Sequence, residues 1–361
     1  MLTNPGKTKC ILLFLLIFNF SDIFAQTGKV TLGAYYFDGW SGAYSYHITP
    51  DLTQNYSNRE PKWGWITSSQ TVMDSQITVA ANAGLSFFDF CWFYTGATRY
   101  KTEPLDRSLN FYLNSPNKNR LKFALIVVNT GSASVGPNNW DSVTTNLIGY
   151  FKSSQYLTVG GKPYVSFFTL KDLIDKFGSE DAVKQALNAF RNKAAQANLP
   201  GISIGICTNP DNASLTSAQN CGFDILTGYN YHGAGFIKST QKTVPIGELS
   251  KGEKSVWDKF AQANAMPVIP TTTLNWDPRP WAKGNAYYTN SARYTGFSSA
   301  SVYQSVKNLK TWIQNNPSQT TQEKIGLIYA WNEYGEGSWL TPSANSTDDL
   351  LGGVKKAVSG Q

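Results

Sequence analysis

The run Ile325-Gly326-Leu327-Ile328-Tyr329-Ala330-Trp331-Asn332-Glu333-Tyr334-Gly335-Glu336-Gly337-Ser338 sets the reading of the whole chain. Its opening is apolar without polar alternation, the pattern of a strand buried on both faces of a parallel sheet. Two glutamates follow, three residues apart. They fall just past the carboxyl end of a strand, where barrel enzymes gather their chemistry. Paired carboxyl groups beside indole and phenol rings suit cleavage of a glycosidic bond. One acid protonates the leaving oxygen, and the other serves as base or nucleophile. The rings offer flat apolar faces on which a sugar rests. A Glu pair that merely caps a helix does not need these neighbours. Gly335 and Gly337 point to a tight backbone path, and Trp331 and Trp339 are costly to place near a surface without a ligand.

Seven more strand-like runs precede Gly326 to Trp331. They are Val30 to Phe37, Leu85 to Phe93, Leu121 to Val128, Pro163 to Phe168, Ile202 to Cys207, Phe223 to Tyr229 and Pro267 to Thr271. Helical stretches lie between them, among them Val72 to Ala83, Ala182 to Ala197, Val256 to Ala263 and Val302 to Ile313. In the last, Val302, Val306, Leu309 and Ile313 recur at helical spacing. Eight alternating units predict an α/β fold, a single (β/α)8 TIM-type barrel. A doubly wound open sheet competes poorly, because no glycine-rich phosphate loop follows the first strand. Asn209 to Asn220, Tyr231 to Lys251 and Asn275 to Ser299 read as long loops that build a binding site.

Composition narrows the class. Of 361 residues, 41% are hydrophobic and 14% aromatic, with 11 Trp and 19 Tyr. Only 15% are charged, below the ~25% of an average domain. A disordered or coiled-coil protein is excluded, and a secreted carbohydrate-active one fits. At the N-terminus, Lys7 and Lys9 precede the apolar run Ile11 to Phe18, and Ala25 precedes Gln26. This is the layout of a secretory signal peptide, too short to span a membrane comfortably. Residues 1–25 are therefore expected to be a leader, and residues 26–361 a catalytic domain placed in a periplasm or outside the cell. No integral membrane segment is expected after leader removal. The net charge of +7 becomes +6 when Lys7, Lys9 and Asp22 of the leader are set aside. No dense basic cluster is present, so nucleic acid is not expected as a partner. Cys91, Cys207 and Cys221 form no CxxC and no Cys/His cluster. No metal site and no cofactor are expected, and free buried thiols are favoured over a Cys207–Cys221 pair. The domain is expected to act as a monomer.

In a barrel, the residues just past each strand converge. The first strand brings Tyr36, Asp38 and Trp40, and the loop after it Trp63 and Trp65. The second brings Asp89, Trp92 and Tyr94, the third Asn129, and the sixth Tyr229, Tyr231 and His232. The seventh brings Trp276 and Arg279, and the eighth Trp331, Asn332 and Tyr334 around Glu333 and Glu336. This is the composition of a sugar pocket, and these residues are the expected substrate-binding set. Trp92 and Asp89 read equally well as barrel core and helix cap. His232, with no G-x-S-x-G elbow in the chain to partner it, reads as a hydrogen-bonded loop residue.

At these residues the chain resembles glycoside hydrolase family 99 and its WbsX-type relatives. The matching segments run in order along nearly the whole chain after the leader: Gly33 to Phe37 with Trp40, Pro61 to Trp65, Leu85 to Tyr94, Glu103 to Asp106, Trp276 to Arg279, and the run Trp331 to Pro342. The resemblance implies a (β/α)8 barrel and a retaining, endo-acting α-mannosidase-like enzyme acting on an oligo- or polysaccharide. It implies that Glu333 acts as base on the sugar 2-hydroxyl, giving a 1,2-anhydro intermediate. It implies that Glu336 is the acid that protonates the leaving oxygen and later activates water. Direct attack by the first carboxylate is the alternative route. Two places depart from the family pattern. Val127-Val128-Asn129-Thr130 lacks the acidic residue common in WbsX-type relatives, and Tyr334-Gly335 replaces a Trp-His pair. Neither change touches the glutamates. Two other activities stay open: a WbsX-type enzyme that transfers sugars during polysaccharide synthesis, and a glycan-binding barrel without catalysis.

Overall fold

The computed structural model describes Met1 and residues 29–96, 102–237, 239–283 and 285–360. The leader expected over residues 1–25 lies, Met1 apart, outside the described residues. Eight parallel strands form one sheet: β1 Thr31–Tyr36, β2 Phe87–Trp92, β3 Lys122–Val127, β4 Lys162–Phe167, β5 Ser203–Cys207, β6 Ile225–Thr227, β7 Thr271–Thr273 and β8 Ile325–Tyr329. Neighbouring strands pair from β1 round to β6, and β8 pairs with both β1 and β7. Between β6 and β7 a single bridge, Leu226 to Val268, nearly closes the barrel. There Leu226 N donates to Pro267 O, and Ile269 N to Leu226 O, both at 2.9 Å. The fold is the expected (β/α)8 barrel.

A helix follows every strand: α1 Gln70–Asn82, α2 Arg107–Asn114, α3 Trp140–Phe151, α4 Glu180–Gln196, α5 Asn212–Asn220, α6 Ile246–Ala263, α7 Ser299–Asn315 and α8 Leu350–Ser359. Their starts are written in side chains. Ser69, Ser179, Asp211 and Ser298 each accept a hydrogen bond from a first-turn amide, and Ser298 with Ser301 forms a capping box, worth ~1 kcal/mol per cap. On α7 the expected stripe Val302, Val306, Leu309 and Ile313 is fully buried, each side chain contributing ~1.5–3 kcal/mol.

Three segments differ from their sequence reading. Asn212–Asn220 is helix α5 and not loop. Its composition is polar, and only Leu215 and Ala218 are buried on its inner side, so it lacks a full apolar stripe. Helix α6 begins at Ile246, inside the stretch read as loop, and turns Leu249, Glu253, Trp257 and Phe260 inward. Strand β7 lies at Thr271–Thr273, further along than the apolar run Pro267 to Thr271. Its threonines are buried because their polar groups are bonded: Thr271 Oγ1 to Gly228 O at 2.5 Å, and Thr272 Oγ1 to Glu253 Oε2 at 3.0 Å. Cys91, Cys207 and Cys221 are free and buried. No described helix is long and apolar enough to cross a membrane.

Candidate active site

Beyond β8 the chain makes a tight double-back. Trp331 N donates to Tyr35 O at 2.8 Å, and Asn332 clasps Phe37 by accepting from its N at 2.9 Å and donating to its O at 2.7 Å. These bonds tie the end of β8 to the end of β1. Asn332–Glu333 then pairs antiparallel with Ser338–Trp339. The turn between them demands both glycines. Gly337 has φ +79°, and a Cβ at Gly335 would sit 1.9 Å from the Trp281 ring. Arg59 locks the turn from beneath. Its Nη1 donates to Asp277 O at 3.0 Å and to Tyr334 O at 2.9 Å, and its Nη2 to Asp277 Oδ2 at 2.6 Å. Arg279 forks onto the same carboxylate at 2.7 and 2.8 Å, while Asp277 N donates to Glu336 O at 2.7 Å. Burial pushes the Asp277 carboxyl up, but the two guanidiniums outweigh it and hold the group below its ordinary value.

This frame delivers Glu333 and Glu336 to one cavity of about 870 Å³, toward the upper end of the ~300–1,000 Å³ range for ligand sites. Tyr229 Oη donates to Glu333 Oε1 at 2.6 Å. Tyr288 Oη donates to Glu336 Oε1 at 2.5 Å, and Tyr329 Oη donates to Oε2. Burial raises both carboxyls to about 7, against the pull of the tyrosine bonds. Each is therefore able to hold or release a proton near neutrality. Enclosure does not single out Glu336 as the acid: Glu333 is 4% exposed and Glu336 8%. Beside them the His232 ring stacks on Trp276 at 4.0 Å and 18°. Burial lowers the His232 pKa to about 4, leaving a neutral flat surface. Trp281 packs on Tyr288 at 5.8 Å.

The family model described as glycosyltransferase WbsX matches residues 50–353. This chain belongs to the WbsX family. No curated protein matches it. Among solved structures it is similar to a glycoside hydrolase-like protein (TM-score 0.66, 16% identity, 92% of this chain and 94% of that one). It is also similar to the family 99 endo-α-mannosidase from Bacteroides thetaiotaomicron (TM-score 0.62, 14% identity, 91% and 95%). A family 5 glycoside hydrolase from Prevotella bryantii follows (TM-score 0.51, 8% identity, 91% and 96%). At these identities the likeness is one of fold.

Within this WbsX-family barrel, Tyr229, Tyr231, His232 and Trp276 line the cavity with the two glutamates. The cavity wall does not include the other expected residues. Tyr36, Trp92 and Trp331 are fully buried. Strand alternation places Tyr36 in the outer layer, and Trp331, past the end of β8, lies there too, 5.0 Å from the Phe88 ring. There Tyr36 bonds Ser108 Oγ at 3.2 Å, and Trp331 Nε1 bonds Gln76 Oε1 of α1 at 2.5 Å. Tyr94 is buried beside Trp92. Asp38 accepts from Ser108 N at 2.6 Å and from Ser68. Trp40 is fully buried against Trp281 and Tyr334, and the Tyr334 hydroxyl bonds Thr341 Oγ1 at 2.9 Å. Asn129 pins Phe168 and Thr169, Asn332 pins Phe37, and Arg279 is spent on Asp277. Trp63 and Trp65 sit outside the cavity, Trp65 edge-on to Tyr334. Asp89 is fully buried on β2, where burial holds its carboxyl well above the ordinary range. Conversely, Phe37, His47, Trp281 and Tyr288 line the cavity, and Tyr329 grips Glu336. For Tyr288 the one available signal is the Tyr287-Tyr288 pair in a loop already read as site-building.

Proposed function

We propose that this protein is an exported glycoside hydrolase that cleaves an α-linked oligo- or polysaccharide within the chain and retains anomeric configuration. The observation that carries the reading is the placement of Glu333 and Glu336 in one cavity, each bonded to a tyrosine hydroxyl, where burial pushes both carboxyls up to about 7. The stacked His232–Trp276 pair supplies a flat face for the sugar ring. Glu336 holds the proton that passes to the glycosidic oxygen as the bond breaks. Glu333, ionised and steadied by Tyr229, acts on the sugar, either as base on its 2-hydroxyl or by direct attack. Glu336, now ionised, takes a proton from water as the water oxygen bonds the anomeric carbon. Glu333 returns its proton to the 2-oxygen as the anhydro ring opens, or leaves the glycosyl ester as a carboxylate, and the starting state is restored. The signal-like N-terminus with Lys7, Lys9 and Ala25 supports export.

The family's description favours a second reading, sugar transfer. A nucleotide-sugar donor carries a diphosphate. Among the described residues lining the cavity, the cation is Lys171, which is paired with Asp175, while Glu333 and Glu336 add negative charge. Charge therefore favours a neutral glycan over a diphosphate donor. The pure protein is incubated with a panel of polysaccharides, and with nucleotide sugars plus acceptors, and products are read by mass. Shortened glycans with the anomeric configuration kept support hydrolysis. Product formed only with a nucleotide sugar sinks it.

A further inference from the structure

The cavity does not stop at the glutamates. Its lining continues along the helix Leu170–Phe177 that follows β4 and along α5, which follows β5. In an eight-stranded barrel β4 stands opposite β8, so one cavity crosses the whole barrel mouth. A hollow of this span holds more than the one sugar whose bond breaks. The far wall is built from two helix faces. On Leu170–Phe177, Leu170 and Leu173 are buried, and Lys171, Ile174 and Asp175 lie at helical spacing along the cavity side. On α5, Leu215 and Ala218 are buried, and Ala213, Ser214 and Ser217 line the cavity. Lys171 and Asp175 pair with each other, yet their side chains stay 79% and 56% exposed. Such a pair adds only ~0–1 kcal/mol to the fold, so both side chains are free to turn to a ligand in the cavity they line.

We infer that Lys171 and Asp175 form a distant sugar subsite, which takes a neutral glycan unit through neighbouring hydroxyls while Ile174 and Ala213 meet its apolar face. The ammonium donates to one hydroxyl and the carboxylate accepts from the next. Because the two charges offset each other, the subsite suits a neutral sugar over a uronate. The inference rests on the glycan-processing reading above, and it makes that substrate a chain longer than a disaccharide.

The test uses the full protein carrying Glu336→Gln, so that bound glycan is not consumed. It is applied to an array of neutral α- and β-linked oligosaccharides printed as length series, beside uronate-containing series. Adding Lys171→Ala with Asp175→Ala should weaken binding of the longer neutral oligomers by about 10-fold, or ~1.4 kcal/mol, the loss fading toward the disaccharide. Thermal melting should not move, and Lys171→Met with Asp175→Asn gives a second variant of closer shape. Unchanged binding at every length overturns the subsite and leaves the hydrolase reading standing. Preference for uronate glycans, lost on Lys171→Ala alone, overturns the neutral assignment. Failure of the Glu336→Gln protein to bind any glycan overturns the hydrolase reading and the subsite with it.

Discussion

Tyr288 Oη lies 2.5 Å from Glu336 Oε1, although the two residues come from different barrel units. Tyr288 sits in the loop between β7 and α7, and Glu336 in the turn after β8. Tyr329 holds the other carboxyl oxygen from β8 itself. The acid is thus gripped from the rigid barrel on one side and from a surface loop on the other. A hydroxyl that donates to a carboxylate favours its charged form. Tyr288→Phe removes that bond and should raise the Glu336 pKa from about 7 by about one pH unit. The alkaline limb of the kcat/KM profile should move upward by the same amount. An unmoved limb would show that Tyr288 does not set the acid.

The two glutamates should separate by leaving group. Glu336→Gln should cost on the order of 100-fold or more on substrates with poor leaving groups, and much less on activated aryl glycosides that need little protonation. Glu333→Gln should impair both, because its step precedes bond cleavage. Near-native turnover in both variants would remove this pair from the chemistry.

Stability should fall as pH rises through neutrality. Burial raises Glu333, Glu336 and Asp38 to about 7 and Glu253 to about 8. Unfolding returns each to the ordinary carboxyl range near 4. Between those limits the folded state binds more protons than the unfolded one, so the stability these groups contribute is complete below pH ~4 and drains away toward pH ~8. The melting temperature should drop from pH 5 to pH 8, and Glu253→Gln should flatten the slope. A rising melting temperature across that window would contradict the assignment.

Gly335→Ala should destabilise by about 1–3 kcal/mol, because its Cβ would meet the Trp281 ring at 1.9 Å. Adding Trp281→Ala should recover part of the loss, since the two sites share one clash. Melting of the single and double variants measures this. Equal melting temperatures for Gly335→Ala and the parent would mean the turn gives way without strain.

Much of this molecule was legible in one dimension. Eight apolar runs alternating with helical stretches forced a barrel, because a parallel strand buried on both faces needs a crossover helix to reach its neighbour. The apolar run Ile325 to Ile328 placed both glutamates past a strand's end, and Gly335 and Gly337 marked the turn that presents them. Which aromatics face the cavity was legible only in part: Tyr229, Tyr231 and Trp276 line it as expected, whereas Tyr36, Trp92 and Trp331 do not. In strands buried on both sides, Tyr35 and Tyr36, or Trp92 and Cys91, look equally apolar, and only the pleat in its barrel assigns one inward and one outward. Nor was the partner of each carboxyl legible. Tyr229, Tyr288 and Tyr329 meet the glutamates only through the closed barrel, and Lys171, far along the chain, lines the same cavity. Local periodicity encodes elements and their ends because it acts through neighbours in the chain, whereas hydrogen bonds to buried carboxyls depend on distances in space that exist only once the barrel has closed.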